Sequence, residues 1–153
     1  MSGADASTKT KAPLEGVNTH LSINQALCGT PTEIAPNRST VELQTSAIMA
    51  ADAQGLVHGG FYFGMADYAA MLAVNDPNVV LGAAETRFLK PVKVGDKLVA
   101  RATCEPSSGG KKRKVSVEVS TVSTDNKDNT TTVKVFTGTF TCFVLEKHVL
   151  ARI

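Results

Sequence analysis

Apolar residues recur at helical spacing in one long stretch of this chain and at alternating spacing in several shorter ones. From Gly59 to about Val74, residues Phe61, Met65, Tyr68, Ala69 and Leu72 share one helical face, and Asn75-Asp76-Pro77 supplies a stop. Phe63, Ala70, Met71 and Val74 cover much of the opposite side, so the pattern predicts a helix buried nearly all round, which other elements must wrap. Strand patterns follow it at Val79 to Lys93, Lys97 to Glu105, Lys114 to Val122 and Thr130 to Leu145; in the third, Val115, Val117 and Val119 alternate with Ser116, Glu118 and Ser120. Turn chemistry separates them at Gly95-Asp96, Ser107 to Gly110 and Asp125 to Asn129, connections short enough to make neighbouring strands antiparallel.

Ahead of the helix, Thr32 to Ile34 and Ser39 to Ile48 are rich in β-branched residues, and Pro36-Asn37 between them predicts a hairpin. The segment His20 to Leu27 predicts a short helix stopped by Gly29. Residues 1–16 are polar and aperiodic, which predicts a disordered or loosely docked tail before a single domain over 17–153. The expected class is therefore α+β, with one long helix followed by an antiparallel meander.

Length and composition narrow the possibilities. A chain of 153 residues builds one core and not two ordinary ones, and 42% hydrophobic with 20% charged residues is ordinary for a globular domain. The longest apolar stretch, Phe61 to Val74, contains Asp67 and falls short of the roughly 20 residues that cross a bilayer. The N-terminus lacks the apolar core of a secretion signal, so the expected location is the cytoplasm. A net charge of +2 does not argue for a nucleic-acid partner, and the basic run Lys111-Lys112-Arg113-Lys114 reads first as a solvated hairpin tip. Three cysteines, 28, 104 and 142, lie far apart and read as reduced packing residues; histidines 20, 58 and 148 are too scattered for a zinc site, so no metal is expected.

The chemistry concentrates at Gly55-Leu56-Val57-His58-Gly59-Gly60 and at Asp67. A glycine pair opening a helix offers bare amides at its positive end, where an anion is stabilised. A lone carboxylate on a mostly apolar helix loses hydration, which raises its pKa towards that of a useful base. Eight residues of helix separate Gly59 from Asp67, about 12 Å of rise, so one reacting carbon cannot touch both on the same helix. If both serve one reaction, they come from different subunits with antiparallel helices.

These residues, with the strand Glu85-Thr86-Arg87-Phe88-Leu89-Lys90-Pro91-Val92-Lys93-Val94-Gly95-Asp96, resemble hotdog-fold acyl-CoA thioesterases, nearest to the phenylacetyl-CoA thioesterase group. The resemblance implies a curved antiparallel sheet wrapped around the central helix, a homodimer or dimer of dimers, and an active site at the subunit interface. It implies no cofactor beyond the coenzyme A moiety of the substrate. The Gly59 amide would hold the thioester oxygen, Asp67 would act as general base or nucleophile, and His58 would lie beside the site. Gly60, Asp52, Phe61 and Phe63 are the expected substrate contacts. Arg87, Lys90, Lys93 and the Lys111 to Lys114 run are candidates for the coenzyme A phosphates.

Two positions depart from the family pattern. Asp52 stands where an Asn commonly precedes the histidine by six residues, and an ionised Asp cannot donate a hydrogen bond. Val79 to Ala84 carries no Ser or Thr where relatives often have one to hold the water. These departures sustain an alternative, a non-catalytic acyl-CoA-binding sensor. A hotdog dehydratase lacks its usual histidine loop here, and 16 N-terminal residues are too few for a helix-turn-helix.

Overall fold

The structure, a computed structural model, describes residues 14–107 and 109–152. Most of the expected N-terminal tail lies outside the described residues. The element order is α1 (Gln25–Cys28), β1 (Thr30–Ala35), β2 (Arg38–Gln44), a 3-10 turn at Ala47–Met49, α2 (Gly59–Val74), β3 (Val79–Phe88), β4 (Lys97–Cys104), β5 (Lys112–Thr124), β6 (Thr130–Val144) and a closing 3-10 turn. The six strands form one antiparallel sheet in the order β1-β2-β4-β5-β6-β3.

Helix α2 begins and ends where its sequence punctuation predicts. Asn75 takes the left-handed conformation (φ 56°) at its C-terminus and donates its amide to the Met71 carbonyl at 2.7 Å. The sheet wraps the helix through β2, β4, β5 and β6, whose inward residues Val41, Leu98, Ala100, Ala102, Val115, Val117, Phe136 and Phe140 are buried. Alanines at 100 and 102 let helix and sheet approach closely. Ser39 of β2 is fully buried and donates its hydroxyl to the Ala69 carbonyl at 2.7 Å, a polar tie in the middle of the helix.

Seven residues of α2 keep exposure: Gly59, Phe61 and Phe63 near its start, and four along one stripe. Gly60, Gly64, Asp67 and Val74 retain exposure while Met65, Ala66, Ala69, Ala70 and Leu72 have none. These four positions fall near one line on the helix surface.

Three expectations are corrected. The helix expected over 20–27 is a single turn, Gln25–Cys28: His20 takes φ 55°, which no right-handed helix accepts, and the Asn24 side chain caps the later start by accepting from the Leu27 amide at 3.1 Å. The strand expected to reach Lys93 stops at Phe88, before Pro91. Nor does β3 pair with the next strand in sequence. It crosses over to pair with β6, while β2 takes the place beside β4, so the meander proper is β4-β5-β6. The expected hairpin is present as β1-β2, with Asn37 at φ 62° in its turn.

Because the Ser39 hydroxyl is a buried donor with a short bond, Ser39→Ala is expected to lower folding stability by about 1 kcal/mol. A shift of the urea midpoint with an unchanged slope would register it.

Candidate active site

The helix entry is held by backbone bonds on both sides. His58 donates its amide to the Met49 carbonyl at 3.0 Å, Val57 to Val92 at 2.8 Å, and Val94 to Gly55 at 2.8 Å. Segment 88–94 therefore runs alongside the loop that leads into α2. Within α2 the Phe61 amide donates to His58, whereas the Gly59 and Gly60 amides have no acceptor among the described residues. Two free amides at the positive helix end are what an oxyanion site consists of.

The two glycines have little space for a side chain. A Cβ at Gly59 would lie 3.0 Å from the Phe88 ring, and one at Gly60 3.1 Å from the His58 ring. Phe88 is half exposed and its ring packs edge-on against Tyr62 at 5.5 Å and Phe136 at 5.1 Å. Phe61 packs against the His58 ring at 6.2 Å, and Phe63 against Phe140 at 5.7 Å. Both phenylalanines keep some exposure, as a wall open on one side would.

Asp67 sits two turns further along, on the uncovered stripe. Its Oδ1 is buried and has no hydrogen-bond partner. Burial pushes its carboxyl up to about 6 from the ordinary 3.8. The side chain lines a cavity of about 400 Å³ together with Thr19, His20, Met71, Asn78, Val79 and Leu81, and with His148 from the closing turn. The start of β3 thus contributes apolar wall and no hydroxyl. Polar groups come instead from Asn78, from His148 and from residues 19–20, the last a contribution that the strand pattern gave no reason to expect.

The remaining candidates divide between two places. Asp52 turns inward on its own loop, its Oδ1 accepting from the amides of Gln54 (2.9 Å) and Leu56 (3.2 Å). Asn can make the same two contacts, so the departure at position 52 preserves the turn. Lys90 and Lys93 lie on the segment beside the helix entry. Arg87 pairs with Thr137, and Lys114 with Thr141, on the sheet face opposite the buried Val115, Val117 and Phe136. The fold therefore brings Gly59, Gly60, His58, Phe61, Lys90 and Lys93 together, and places Arg87, Lys112 and Lys114 on the outer face, with Lys111 just before the strand and Arg113 in register with the buried Cys142 on the inner one. Asp67 lies apart from both groups within one chain.

The Asp67 carboxyl carries a stability consequence. Its folded pKa lies above the unfolded one, so between pH 3.8 and about 6 the folded state binds more protons, and stability falls as pH rises through that window. Asp67→Asn is therefore expected to gain stability relative to the parent on going from pH 3.5 to pH 8, by up to about 3 kcal/mol. Denaturant midpoints of both proteins at the two pH values check it.

Comparison with known proteins bears on the fold and the family. Residues 54–126, from the loop before α2 to the turn after β5, match the thioesterase superfamily. The solved structure of an uncharacterized protein from Pyrococcus horikoshii is similar at 51% identity and a TM-score of 0.77, over 92% of this chain and 99% of that one. A mutant of the phenylacetic acid degradation protein PaaI from Thermus thermophilus is similar at 27% identity and a TM-score of 0.65, over 79% of this chain and 96% of that one. The methylthioribose-1-phosphate isomerase of Aquifex aeolicus is 55% identical over 102 residues, which are 67% of this chain but only 22% of that protein's length. By fold, by helix entry and by these likenesses, the chain belongs to the thioesterase superfamily of hotdog-fold proteins.

Proposed function

We propose that this protein hydrolyses a small or medium acyl-CoA thioester at sites assembled between two copies of the chain. The observation that carries the reading is Asp67: a carboxylate that lines a cavity, with one buried oxygen that has no partner and a pKa raised to about 6. Leaving such a group unpaired is destabilising, and a core position would accept Asn or Leu more readily. A carboxylate of this basicity is suited to take a proton from water near neutral pH.

In this mechanism the thioester carbonyl oxygen accepts from the Gly59 amide at the helix N-terminus of one subunit. Asp67 of the other subunit removes a proton from a water, whose oxygen bonds to the carbonyl carbon. The charge that develops on the carbonyl oxygen is stabilised by the amide and the helix end. Collapse breaks the carbon–sulfur bond, and the proton held by Asp67 passes to the departing thiolate, giving the acid and free coenzyme A. His58, folded over Gly60, walls the reacting group. Phe61 and Phe63 border the acyl side, and Lys90 and Lys93 lie where the coenzyme A phosphates would enter.

Three features support a second copy as the partner. The stripe of Gly60, Gly64 and Asp67 is uncovered, and a side chain at Gly64 would meet nothing within 4 Å. Strand β3 is an outer strand of the sheet, with one row of backbone groups unpaired. Ile48, Leu56, Phe88 and Leu89 are exposed apolar residues near the helix entry. The isomerase from Aquifex aeolicus is a protein most of which has no counterpart in this chain.

A panel of acyl-CoA substrates with thiol release measured tests the reading. The expected result is turnover that Asp67→Asn lowers at least a hundredfold with the fold intact. Ligand-induced thermal stabilisation without thiol release would instead establish the non-catalytic binder. Gly64→Leu, at a position where a Cβ meets nothing within 4 Å, is expected to yield a folded monomer by light scattering; a dimer of full activity would refute the helix-to-helix arrangement.

A further inference from the structure

We propose that His20, held by Thr19, is a positioning residue of the Asp67 site, facing the carboxylate across the cavity and holding the water that it activates. The proposal rests on the thioesterase reading and adds a group from the N-terminal segment, outside the family's helix-entry motif.

The segment is built to present this side chain. Asn75, at the C-terminus of α2, accepts from the Asn18 amide at 2.8 Å through Oδ1 and donates to the Gly16 carbonyl at 2.7 Å through Nδ2. This two-point clamp fixes residues 16–18 against the helix that carries Asp67. His20 follows in the left-handed conformation, φ 55°, an arrangement that costs a residue other than glycine about 1 kcal/mol and marks a position held for a reason. The Thr19 hydroxyl is 2.8 Å from His20 Nδ1, and Thr19 itself is 5% exposed. The imidazole packs against the ring of Tyr68, the neighbour of Asp67, at 6.2 Å. With Nδ1 engaged by Thr19, Nε2 is the ring nitrogen left for the cavity.

Elimination among the surrounding groups leads to the same residue. Cys28 of α1 and Cys142 of β6 both have thiols pushed upward, chiefly by burial and then by the Asp67 charge, Cys142 to about 12. They stay protonated near neutral pH, as does the buried phenol of Tyr68. Strand β3 offers only apolar side chains to the cavity. That leaves the imidazoles of His20 and His148, with the Asn78 amide beside them. His148 is exposed, and its Nδ1 accepts from the Leu150 amide within its own turn. Burial lowers the pKa of His20, which favours its neutral form. Among the described residues no three His, Cys, Asp or Glu side chains close to metal-ligand geometry, so this group is read as a water site.

Two measurements test the pair. Histidine NMR of the whole protein and of Asp67→Asn is expected to show the His20 ring resonances and titration midpoint moving, with those of His58 unchanged. Stationary His20 resonances would overturn the proposal whether or not the protein turns over thioesters. In thiol release, His20→Gln places an amide donor where Nε2 stood and is expected to keep kcat within about threefold of the parent, whereas His20→Asn, which reaches only the Nδ1 position, is expected to lose at least about tenfold in kcat with a smaller change in KM. Asn tolerates the left-handed backbone well, so its loss would not reflect misfolding. Equal kcat for the two variants would reduce His20 to a structural role and overturn the proposal. Absence of thiol release in the parent would sink the thioesterase reading, while the NMR result still decides whether His20 and Asp67 are coupled.

Discussion

The structure depends on one act of burial: a 16-residue helix is dehydrated inside a curved sheet. Nine of its residues are buried, and the strands that surround it supply small side chains where it comes closest. Apolar burial at this density is the dominant favourable term in a domain of this size. It also fixes the helix in rotation and in depth, with the Ser39 hydroxyl on the Ala69 carbonyl as a polar pin. Among the described residues, the fixed helix leaves its first two amides and the buried Oδ1 of Asp67 without hydrogen-bond partners.

Those two features lie where the sheet does not close. The order β1-β2-β4-β5-β6-β3 leaves a stripe of α2 open, and Gly60, Gly64 and Asp67 lie on it. A carboxylate there is neither solvated like a surface acid nor paired like a core one, and its raised pKa follows from that position alone. The opposite shift at His20 has the same origin, since burial disfavours its charged form. An acid kept basic and an imidazole whose neutral form is favoured, in one cavity, are complementary around a single water.

Local punctuation made much of this legible in the sequence. Gly59 and Asn75 bound α2 because glycine and asparagine act within a turn of where they stand, and strands β4 to β6 follow from alternation and short turns. The exchange of partners that puts β3 beside β6 depends on packing across the sheet, to which alternation along one strand is blind. The same holds at the site. Asp67 stood out as a charge in an apolar helix, but His20 is brought to it by a clamp from Asn75, 57 and 59 positions away from the residues it grips. The helical pattern over 20–27 concealed it, because the left-handed backbone at His20 is invisible to periodicity. Arg87 shows the converse: its charge was readable, yet its register with Thr137 places it on the outer face.

The central claim is that Gly59 and Asp67 act on one substrate from different subunits. Subunit mixing tests it most directly. Asp67→Asn removes the carboxylate and Gly59→Val obstructs the helix terminus, so each homodimer should be inactive. In a fully exchanged equal mixture, half the dimers are mixed and each mixed dimer retains one intact site, so the account predicts recovery of about a quarter of the parent activity. A mixture that stays as inactive as its components, despite proven exchange of subunits, would contradict it.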